Sequence, residues 1–190
     1  MYAADRQLFF FALAVLALIV GCGDDEYSSI PVSPKEEVPF TYEGSLGRIW
    51  GGDNFEVIRE QRLHYAFIRG IDTPEPGQAF HEEATELLSS ICNNRLVVVS
   101  VVQRDEWKRE VSDVLVRDPS DGREFDIALE LVQKGLAWHD LSEEPWADRY
   151  REAELLARSQ KIGIWSQANP IPPWEYWQRQ LQQATGGSEQ

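Results

Sequence analysis

Cysteine, histidine and positive charge are all scarce in this 190-residue sequence, and each scarcity excludes a class of protein. Its two cysteines cannot build a disulfide framework or a cysteine-based zinc site. Its three histidines, His64, His81 and His139, lack the spacing of metal ligands and are interpreted as ordinary residues. A formal charge of −14 excludes a protein that holds nucleic acid through non-specific electrostatic attraction.

Long hydrophobic runs are also lacking, apart from one near the N-terminus. Residues 8–20 form an unbroken apolar run of 13 residues, which is short for a membrane-spanning helix and typical of a signal-peptide core. Small residues precede Cys22, as in the bacterial lipobox, in which the cysteine is lipidated and becomes the first mature residue. Residues 1–21 are therefore predicted to be a lipoprotein-type signal peptide, and the protein an exported cell-envelope lipoprotein. An uncleaved signal anchor and a secreted protein are the alternatives.

The rest of the chain has the composition of a folded domain with appendages. Hydrophobic residues make up 43% and aromatic residues 11%, so a core can form. Residues 22–40 are acidic and rich in Ser and Pro, and are interpreted as a tether. A domain is predicted over residues 41–166, followed by a Pro- and Trp-rich tail, residues 167–190, that lies along the domain surface. Cys92 falls on the apolar side of a predicted helix and is interpreted as a buried free thiol.

The order of the predicted elements indicates a small closed barrel. Strands are predicted at residues 41–50, 55–59, 63–71, 96–102 and 110–116. Helices are predicted at residues 78–93, 126–134 and 147–160, the last with Tyr150, Ala153, Leu156 and Ala157 facing inward. Trp138 and Trp165 are assigned to the core. Five strands with a helix after the third, and helices at the C-terminal end, fit an α+β five-stranded OB-fold barrel.

Five stretches of the sequence resemble the successive motifs of the staphylococcal nuclease (thermonuclease) family. They are "GRIWGGDNFEV", "GIDTPEPGQAF", "RDEWKREVSDVLV", "LVQKGLAW" and "AELLARSQKIGIWS". The stretch "IPPWEYW" also resembles the segment that comes after the domain in many bacterial members. The resemblance covers residues 41–177. Five motifs in the right order and spacing are specific for the fold, although they say less about activity.

The resemblance implies an OB-fold barrel and calcium-dependent hydrolysis of DNA and RNA phosphodiesters. The family's calcium ligands correspond here to the carboxylates of Asp53 and Asp72 and to the backbone carbonyl of Thr73. Its general base or water-orienting glutamate corresponds to Glu75. One of its phosphate-binding arginines corresponds to Arg109.

The chemistry of these residue types agrees with the resemblance. Calcium prefers hard oxygen ligands, and two carboxylates with a carbonyl supply them while leaving room for water and phosphate. A bound ion can polarise a phosphoryl oxygen and position a hydroxide. Glu75 is close in sequence to the ligands, so it could reach a metal-associated water. The guanidinium of Arg109 suits a phosphate because it forms paired hydrogen bonds.

Five positions depart from the family's pattern. Phe67 stands where the family has its other phosphate-binding arginine, five residues before the Asp of "DTPE". Gly51 and Asn54 replace the first Asp and the Thr of a "DGDT" turn, and Trp107 and Lys108 replace the Tyr and Gly of "DxYGR". Loss of a preorganised cationic donor can cost ~10²- to 10³-fold in rate, so any activity is expected to be attenuated.

Three side chains near the motifs could add to substrate binding. Arg69 would share a face with Phe67 in a regular strand, ~7 Å further along, and could partly replace the missing arginine. Lys108 could supply charge but not the guanidinium fork. Trp107 is either a core or edge aromatic or a platform for a base.

Simpler interpretations of the same residues are open. Thr73, Pro74 and Glu75 also make a good helix start, with a cap, a first-turn proline and an acid at the positive end. Arg109, taken by itself, would be a solvated strand residue. With Asp53 and Arg109 both at matching places, the metal site is the preferred interpretation.

The sequence therefore predicts a monomeric, membrane-tethered, extracytoplasmic nuclease that needs calcium and has little sequence preference. Nucleic acid would be its substrate, and the membrane its other partner. The alternative is a non-catalytic OB-fold module that binds nucleic acid or protein. Phe67, Gly51 and the charge of −14 favour the module, whereas the retained carboxylates and Arg109 favour the enzyme.

Overall fold

The structure is a computed structural model that describes residues 38–139 and 147–186. Its strands are β1 (Phe40–Ile49), β2 (Asn54–Arg59), β3 (Arg62–Ile68), β4 (Ile71–Asp72), β5 (Leu96–Arg104), β6 (Glu110–Arg117), β7 (Glu124–Asp126) and β8 (Trp138–His139). Its α-helices are α1 (His81–Cys92), α2 (Ile127–Gln133), α3 (Ala147–Gln160) and α4 (Pro173–Gly186), with a 3₁₀ helix at Gly163–Ser166. The described residues divide into two compact units, the larger ending at Pro170 and the smaller beginning at Ile171.

The larger unit is built around a closed five-stranded barrel. Its strands lie in the order β3-β2-β1-β5-β6 and are antiparallel, except that β6 pairs in parallel with β3 and closes the ring. Helix α1 follows the third strand of the barrel, and β7 extends the sheet from β6. This arrangement confirms the predicted OB-fold barrel with a helix after the third strand.

Alternating side chains of the strands fill the barrel. In β6 every second residue from Glu110 to Val116 is buried, as expected of a strand with one face on the core. Cys92 is 3% exposed, and burial raises the pKa of its thiol to about 12, so the expectation of a buried free thiol is confirmed. Trp138 and Trp165 are both buried and form an edge-to-face pair with ring centroids 5.5 Å apart, which confirms their assignment to the core.

The helices after the barrel begin and end close to where the sequence predicts. The Asp126 carboxylate accepts a hydrogen bond from the Leu129 backbone N–H at 3.1 Å and so caps α2. Helix α3 has the predicted bounds. The inward placement of Leu156 is wrong, because this side chain is 57% exposed. Glu154 is buried instead, since its Oε2 accepts the His139 backbone N–H of β8 at 2.7 Å and turns that face of α3 inward.

A glycine pair joins the ends of α2 and α3. Gly135 and Gly163 have positive φ angles of 63° and 57°, and the Ile164 backbone N–H donates to the Gly135 carbonyl at 2.9 Å. A Cβ on Gly163 would lie 2.2 Å from that carbonyl oxygen, so no larger residue fits without a backbone shift. Two of the family-like motifs, "LVQKGLAW" and "AELLARSQKIGIWS", therefore meet at this contact.

The third barrel strand ends earlier than predicted. It stops at Ile68, because Gly70 adopts a φ of 82° and turns the chain. Ile71 and Asp72 then form β4, which pairs antiparallel with β8 rather than continuing the barrel. Arg69 therefore lies in a turn, and its predicted place in a regular strand is wrong.

Helix α1 begins later than predicted, at His81 rather than at residue 78. The residue before it, Phe80, has a left-handed φ of 70°, which a helical residue does not adopt. Thr73, Pro74 and Glu75 consequently lie in the loop that precedes the helix. Their interpretation as a helix start is wrong.

The smaller unit contains a helix where the sequence predicts only a tail. Helix α4 starts at Pro173, and the Tyr176 backbone N–H donates to the Pro172 carbonyl at 3.0 Å. Prolines are compatible with this position because the first turn of a helix needs no N–H donors. No helix in the described part of the chain is both long and apolar enough to span a bilayer. Cys22, the signal peptide and nearly all of the tether lie outside the described residues.

Candidate active site

Asp53 lies on the turn between β1 and β2, and only 3% of it is exposed. The backbone N–H groups of Trp50 and Gly51 both donate to the Asn54 carbonyl at 3.2 Å and close this turn. The side chain of Asn54 donates from Nδ2 to Asp53 Oδ1 at 3.1 Å. The asparagine that departs from the family pattern therefore helps to orient the carboxylate that matches it.

The Asp53 turn contacts the segment that carries the other predicted ligands. The Thr73 backbone N–H donates to Asp53 Oδ2 at 3.2 Å, across 20 positions of sequence. The Asp53 carbonyl accepts the Ile68 backbone N–H at 2.8 Å, which ties the turn to the end of β3. Asp72 and Thr73 are 6% and 3% exposed. The structure thus brings the Asp53 carboxylate into contact with the Thr73 amide, which follows Asp72 in the chain.

Gly52 makes this approach possible, although the motifs do not indicate a role for it. A Cβ on Gly52 would lie 2.9 Å from the Ala84 Cβ of α1 and 2.9 Å from the Thr73 Cγ2. Any larger residue would push the Asp53 turn away from Thr73. The sequence does contain a sign of this close approach, because Gly52 directly precedes Asp53 in the stretch "GGDN".

The donor set fits calcium. Two carboxylates that are almost wholly removed from water carry a desolvation cost that a bound cation offsets. Asp53 and Asp72, with the Thr73 carbonyl, offer only hard oxygen donors, and the other ligands would be water and substrate oxygens. In the ranges that the structure describes, no group of three or more His, Cys, Asp or Glu side chains is arranged to hold a metal ion. The predicted site has only two such side chains, Asp53 and Asp72, because its third ligand is a backbone carbonyl.

Glu75 follows the ligand segment in a loop that two neighbours hold in place. Its backbone N–H donates to the Gln78 Oε1 at 2.8 Å, and the Gln78 backbone N–H donates back to the Glu75 carbonyl at 2.8 Å. His81 donates from Nδ1 to the Pro74 carbonyl at 2.7 Å. The half-buried Glu75 is therefore fixed two residues beyond Thr73. Gln78 and His81 support the loop, a role that their place in the sequence does not indicate.

The hairpin between β5 and β6 fixes Arg109. Asp105 Oδ1 accepts the backbone N–H groups of Trp107 at 3.0 Å and of Arg109 at 2.9 Å, and its Oδ2 accepts the Arg109 Nε–H. Lys108 takes a φ of 66° and completes the turn. Arg109 is therefore held by a carboxylate rather than freely solvated. Asp105 is a positioning residue that the motifs do not indicate, although it stands four residues before the arginine it binds.

Two aromatic rings contact the Arg109 guanidinium. Its central carbon lies 5.0 Å from the Phe67 ring centroid and 4.9 Å from that of Trp107, within range of cation–π attraction. Phe67 is half-buried, and it pairs with Asn54 of β2 and with Val111 of β6. The residue that replaces the family's second arginine therefore packs against the arginine that remains.

The other cations predicted to bind substrate have different surroundings. Arg69 donates from Nη2 to Asp113 Oδ2 at 2.7 Å and from Nε to Asp113 Oδ1, so it forms a two-bond ion pair. Compensation for Phe67 by Arg69 would require this pair to open. Lys108 is exposed in the hairpin.

Comparison with known proteins finds a matching family model and relatives with nuclease names. Residues 67–167 match the family model described as "Staphylococcal nuclease homologue". A micrococcal nuclease of Shigella flexneri is 30% identical over 148 residues, which cover 76% of this chain and 84% of the relative. An uncharacterized endonuclease of Escherichia coli is 29% identical over 137 residues, which cover 69% of this chain and 82% of the relative. A probable endonuclease lcl3 of Aspergillus niger is 33% identical over 125 residues, which cover 57% of this chain and 45% of the relative.

Proposed function

This chain belongs to the staphylococcal nuclease family, and from that membership we propose that it hydrolyses phosphodiester bonds of DNA or RNA in a calcium-dependent reaction. One observation carries the proposal. The Thr73 amide donates to the buried Asp53 carboxylate at 3.2 Å, which brings the two segments that carry the proposed ligands into contact. Relatives named as a micrococcal nuclease and as endonucleases support the class of reaction.

The metal would be held by Asp53, Asp72 and the carbonyl oxygen of Thr73. A bound calcium ion would polarise a phosphoryl oxygen and make a coordinated water more acidic. The bonds from Asn54 Nδ2 and the Thr73 N–H orient the two Asp53 oxygens, so this ligand needs little rearrangement. Glu75, two residues beyond Thr73, would accept a proton from the attacking water.

Arg109 would bind the phosphate during the reaction. Asp105 and the two aromatic rings set the orientation of its guanidinium before substrate arrives. A preorganised donor stabilises the charge that develops on the phosphoryl oxygens in the transition state. Because Phe67 has no donor to offer, the rate would be lower, by ~10²- to 10³-fold, than with two such arginines.

We extend the proposal to the location of the protein. Lipidation of Cys22 would anchor it to a bacterial membrane, and residues 22–40 would hold a monomeric domain away from the surface. The support is the 13-residue apolar run that ends just before Cys22, together with the acidic segment after it.

A non-catalytic binding module is the second candidate. The observation that favours it is the contact between Phe67 and Arg109, because an apolar ring fills a position where a nuclease of this family has a cation. The acidic charge of the chain and Gly51 in the ligand turn point the same way.

A plasmid-nicking assay on the purified protein separates the two candidates. We expect nicking with calcium, none with EDTA, and none after Glu75→Gln. Glu60→Gln is the matched control, because Glu60 lies on the turn between β2 and β3 with 81% of its side chain exposed, and it should nick as the wild type does. A folded wild-type protein that binds plasmid DNA but never nicks it in calcium would establish the binding module.

A further inference from the structure

Arg158 of α3 makes two contacts that the proposed reaction does not use. Its Nε donates to Glu154 Oε1 at 2.7 Å, one turn earlier on the same helix. Its central guanidinium carbon lies 3.9 Å from the centroid of the Trp165 ring, within range of cation–π attraction. Glu154 is 5% exposed and Trp165 is 8% exposed. The guanidinium therefore links two buried groups that come after the barrel in the chain.

Each of these two groups holds one residue of β8. Glu154 Oε2 accepts the His139 backbone N–H at 2.7 Å and the His139 Nδ1–H at 2.9 Å. The Trp165 ring packs edge-to-face against Trp138, with centroids 5.5 Å apart. Trp138 and His139 are the whole of β8. Both residues of this short strand are therefore held by side chains of α3 and of the 3₁₀ helix.

Strand β8 pairs with the strand that carries Asp72. The antiparallel register places Ile71 opposite His139 and Asp72 opposite Trp138. Strand β4 has only these two residues, and it pairs with β8 in a separate two-stranded sheet. A ladder this short is not stable without packing against other elements. The position of the Asp72 backbone therefore depends on the contacts that hold β8.

The geometry of the Glu154 carboxylate suits a rigid connection. One oxygen accepts from Arg158 and the other accepts twice from His139, so both oxygens of the buried group have donors. Hydrogen bonds to an ionised group are stronger than neutral ones. A metal binds more tightly when its ligands are already held in place, because less of the binding free energy goes into ordering them. Removal of a partner that orients a ligand typically weakens metal binding by about 10- to 100-fold.

We infer that Glu154 and Arg158 are positioning residues for the calcium site, and that they act on Asp72 through β8. The inference rests on the proposed function for the assignment of Asp72 as a calcium ligand. Substitution of either residue would leave the proposed ligands present but hold β4 less firmly. Because both act through another strand, we expect the low end of the usual effect, a calcium Kd about tenfold higher.

Isothermal titration of the purified full-length chain with calcium chloride, in mild detergent, measures the Kd without any cleavage. Glu154→Gln and Arg158→Met should each raise the calcium Kd about tenfold, at a temperature well below the Tm of every variant. Arg158→Lys retains a charge that can bind Glu154 and should lie between Arg158→Met and the wild type. The Arg158 side chain is 49% exposed, so Arg158→Met carries the test if Glu154→Gln does not fold.

The two substitutions also separate positioning from simple electrostatics. Loss of the Glu154 anion by itself would weaken the binding of a cation, but loss of the Arg158 cation by itself would strengthen it. Positioning predicts weaker binding in both variants. Glu152→Gln removes an exposed carboxylate from the same helix and should leave the calcium Kd unchanged. Tyr42→Phe removes the 2.8 Å bond to Glu110 inside the barrel, and should lower the Tm without changing the Kd.

The outcomes separate this inference from the proposed function. A folded Arg158→Met protein with an unchanged or lower calcium Kd overturns the positioning role, and so does an equal loss of affinity in Tyr42→Phe. Calcium binding that depends on Arg158, in a protein that never nicks plasmid DNA, supports the inference and refutes the nuclease. Calcium-dependent nicking with a Kd that does not depend on Arg158 does the reverse. A wild type that binds no calcium overturns both.

Discussion

Single residues that depart from the family pattern touch residues that match it. Asn54 donates to Asp53, and the Phe67 ring contacts the Arg109 guanidinium. Each of these two replacements therefore removes the side chain that the family has at that position. It also changes the surroundings of a neighbouring residue that the family retains. Groups in direct contact do not contribute additively, so we expect the effects of substitutions at Phe67 and Arg109 to be coupled.

The metal site gives a prediction at one residue, Asp72. Calcium should raise the Tm of the wild type, because a ligand that binds only the native state stabilises it by an amount that grows with the logarithm of the ligand concentration above its Kd. Asp72→Ala should abolish this calcium-dependent shift. Asp121→Ala removes a carboxylate that pairs with Arg123 on an exposed turn, and should keep the full shift. Differential scanning calorimetry with calcium and with EDTA measures both, and a wild type indifferent to millimolar calcium would contradict the site.

Phe67→Arg should raise calcium-dependent cleavage by about tenfold or more, because a second guanidinium would bind the charge that develops on the phosphoryl oxygens. The gain should stay below ~10²- to 10³-fold, since the new cation repels Arg109 and removes an aromatic contact worth about 0.5–1 kcal/mol. Phe67 is half-buried, so the Tm should fall by only a few degrees, about what a loss of 1 kcal/mol causes. Initial cleavage rates and the Tm are measured together.

Two controls decide whether a gain in Phe67→Arg arises at the proposed site. Phe67→Leu removes the ring without adding a cation and should not gain activity. Adding Glu75→Gln to Phe67→Arg should eliminate the gain. A well-folded Phe67→Arg protein without calcium-dependent cleavage would count heavily against the enzyme.

At the scale of elements, one buried carboxylate joins four barrel strands. Glu110, at the start of β6, accepts hydrogen bonds from Tyr42 of β1 at 2.8 Å and Arg104 of β5 at 3.0 Å. His64 of β3 lies 3.3 Å from the same carboxylate. Burial raises the pKa of Glu110, but the bonds from His64, Tyr42 and Arg104 outweigh it, so the pKa lies below its ordinary value. The barrel is therefore stabilised by an ionised Glu110.

Glu110→Gln should destabilise the barrel by about 3 kcal/mol at neutral pH, because it leaves buried donors without their anion. The sign of the pH dependence follows from the lowered pKa. The contribution of Glu110 to the free energy of unfolding is complete above the pKa that its carboxyl has in the unfolded chain, near 4.5. It is lost as the pH falls through the lower pKa of the folded protein. Urea unfolding should therefore show a smaller difference between variant and wild type in acid. The exposed Glu60→Gln should change stability by less than about 0.5 kcal/mol at either pH, and an equal loss in both variants would contradict the network.

The elements that sequence predicts are those set by local pattern. Alternating or continuous apolar residues place the five barrel strands, and Asp126 and Gly135 mark the ends of α2 within one residue. The errors arise where distant contacts decide. The turn at Gly70 detaches β4 from β3, and Glu154 sets the rotation of α3 through His139. The pairing of β4 with β8 and the rotation of α3 about its axis both depend on residues far apart in the chain. A pattern within a short window of neighbouring residues does not reveal them.

In the candidate active site, too, residues that belong to a motif could be predicted, whereas residues whose role depends on the folded geometry could not. Family-like motifs identify Asp53, Asp72 and Arg109, and the structure shows Asp53 bonded to the Thr73 amide and Arg109 in contact with Asp105 and Phe67. Gly52 and Asp105 escape prediction because their roles depend on close approach and on a hairpin geometry that spacing does not reveal. The contact of Phe67 with Arg109 likewise requires the parallel pairing of β3 with β6.

At the scale of the whole molecule, acidity and the proposed tether act together. A chain of −14 is repelled by the anionic surface of a membrane as well as by nucleic acid. Residues 22–40, themselves acidic, would then extend the domain away from the surface that anchors it. Substrate would be met away from the membrane, and its binding would depend on Arg109 and on the metal rather than on the electrostatic field of the whole chain.

The lipid anchor gives the prediction for the whole molecule. Cys22→Ala should move the protein from the membrane fraction to the soluble fraction of a bacterial host, because no acyl chain remains to hold it. Globomycin should make the wild-type precursor accumulate. Cys92 is the other of the two cysteines in the chain, and its thiol is buried with a pKa raised to about 12, so Cys92→Ala should leave membrane association unchanged. Immunoblots of fractionated cells report all three results. A wild-type protein that is cleaved and soluble would refute lipidation, and an equal release by both substitutions would assign the effect to folding rather than to an anchor.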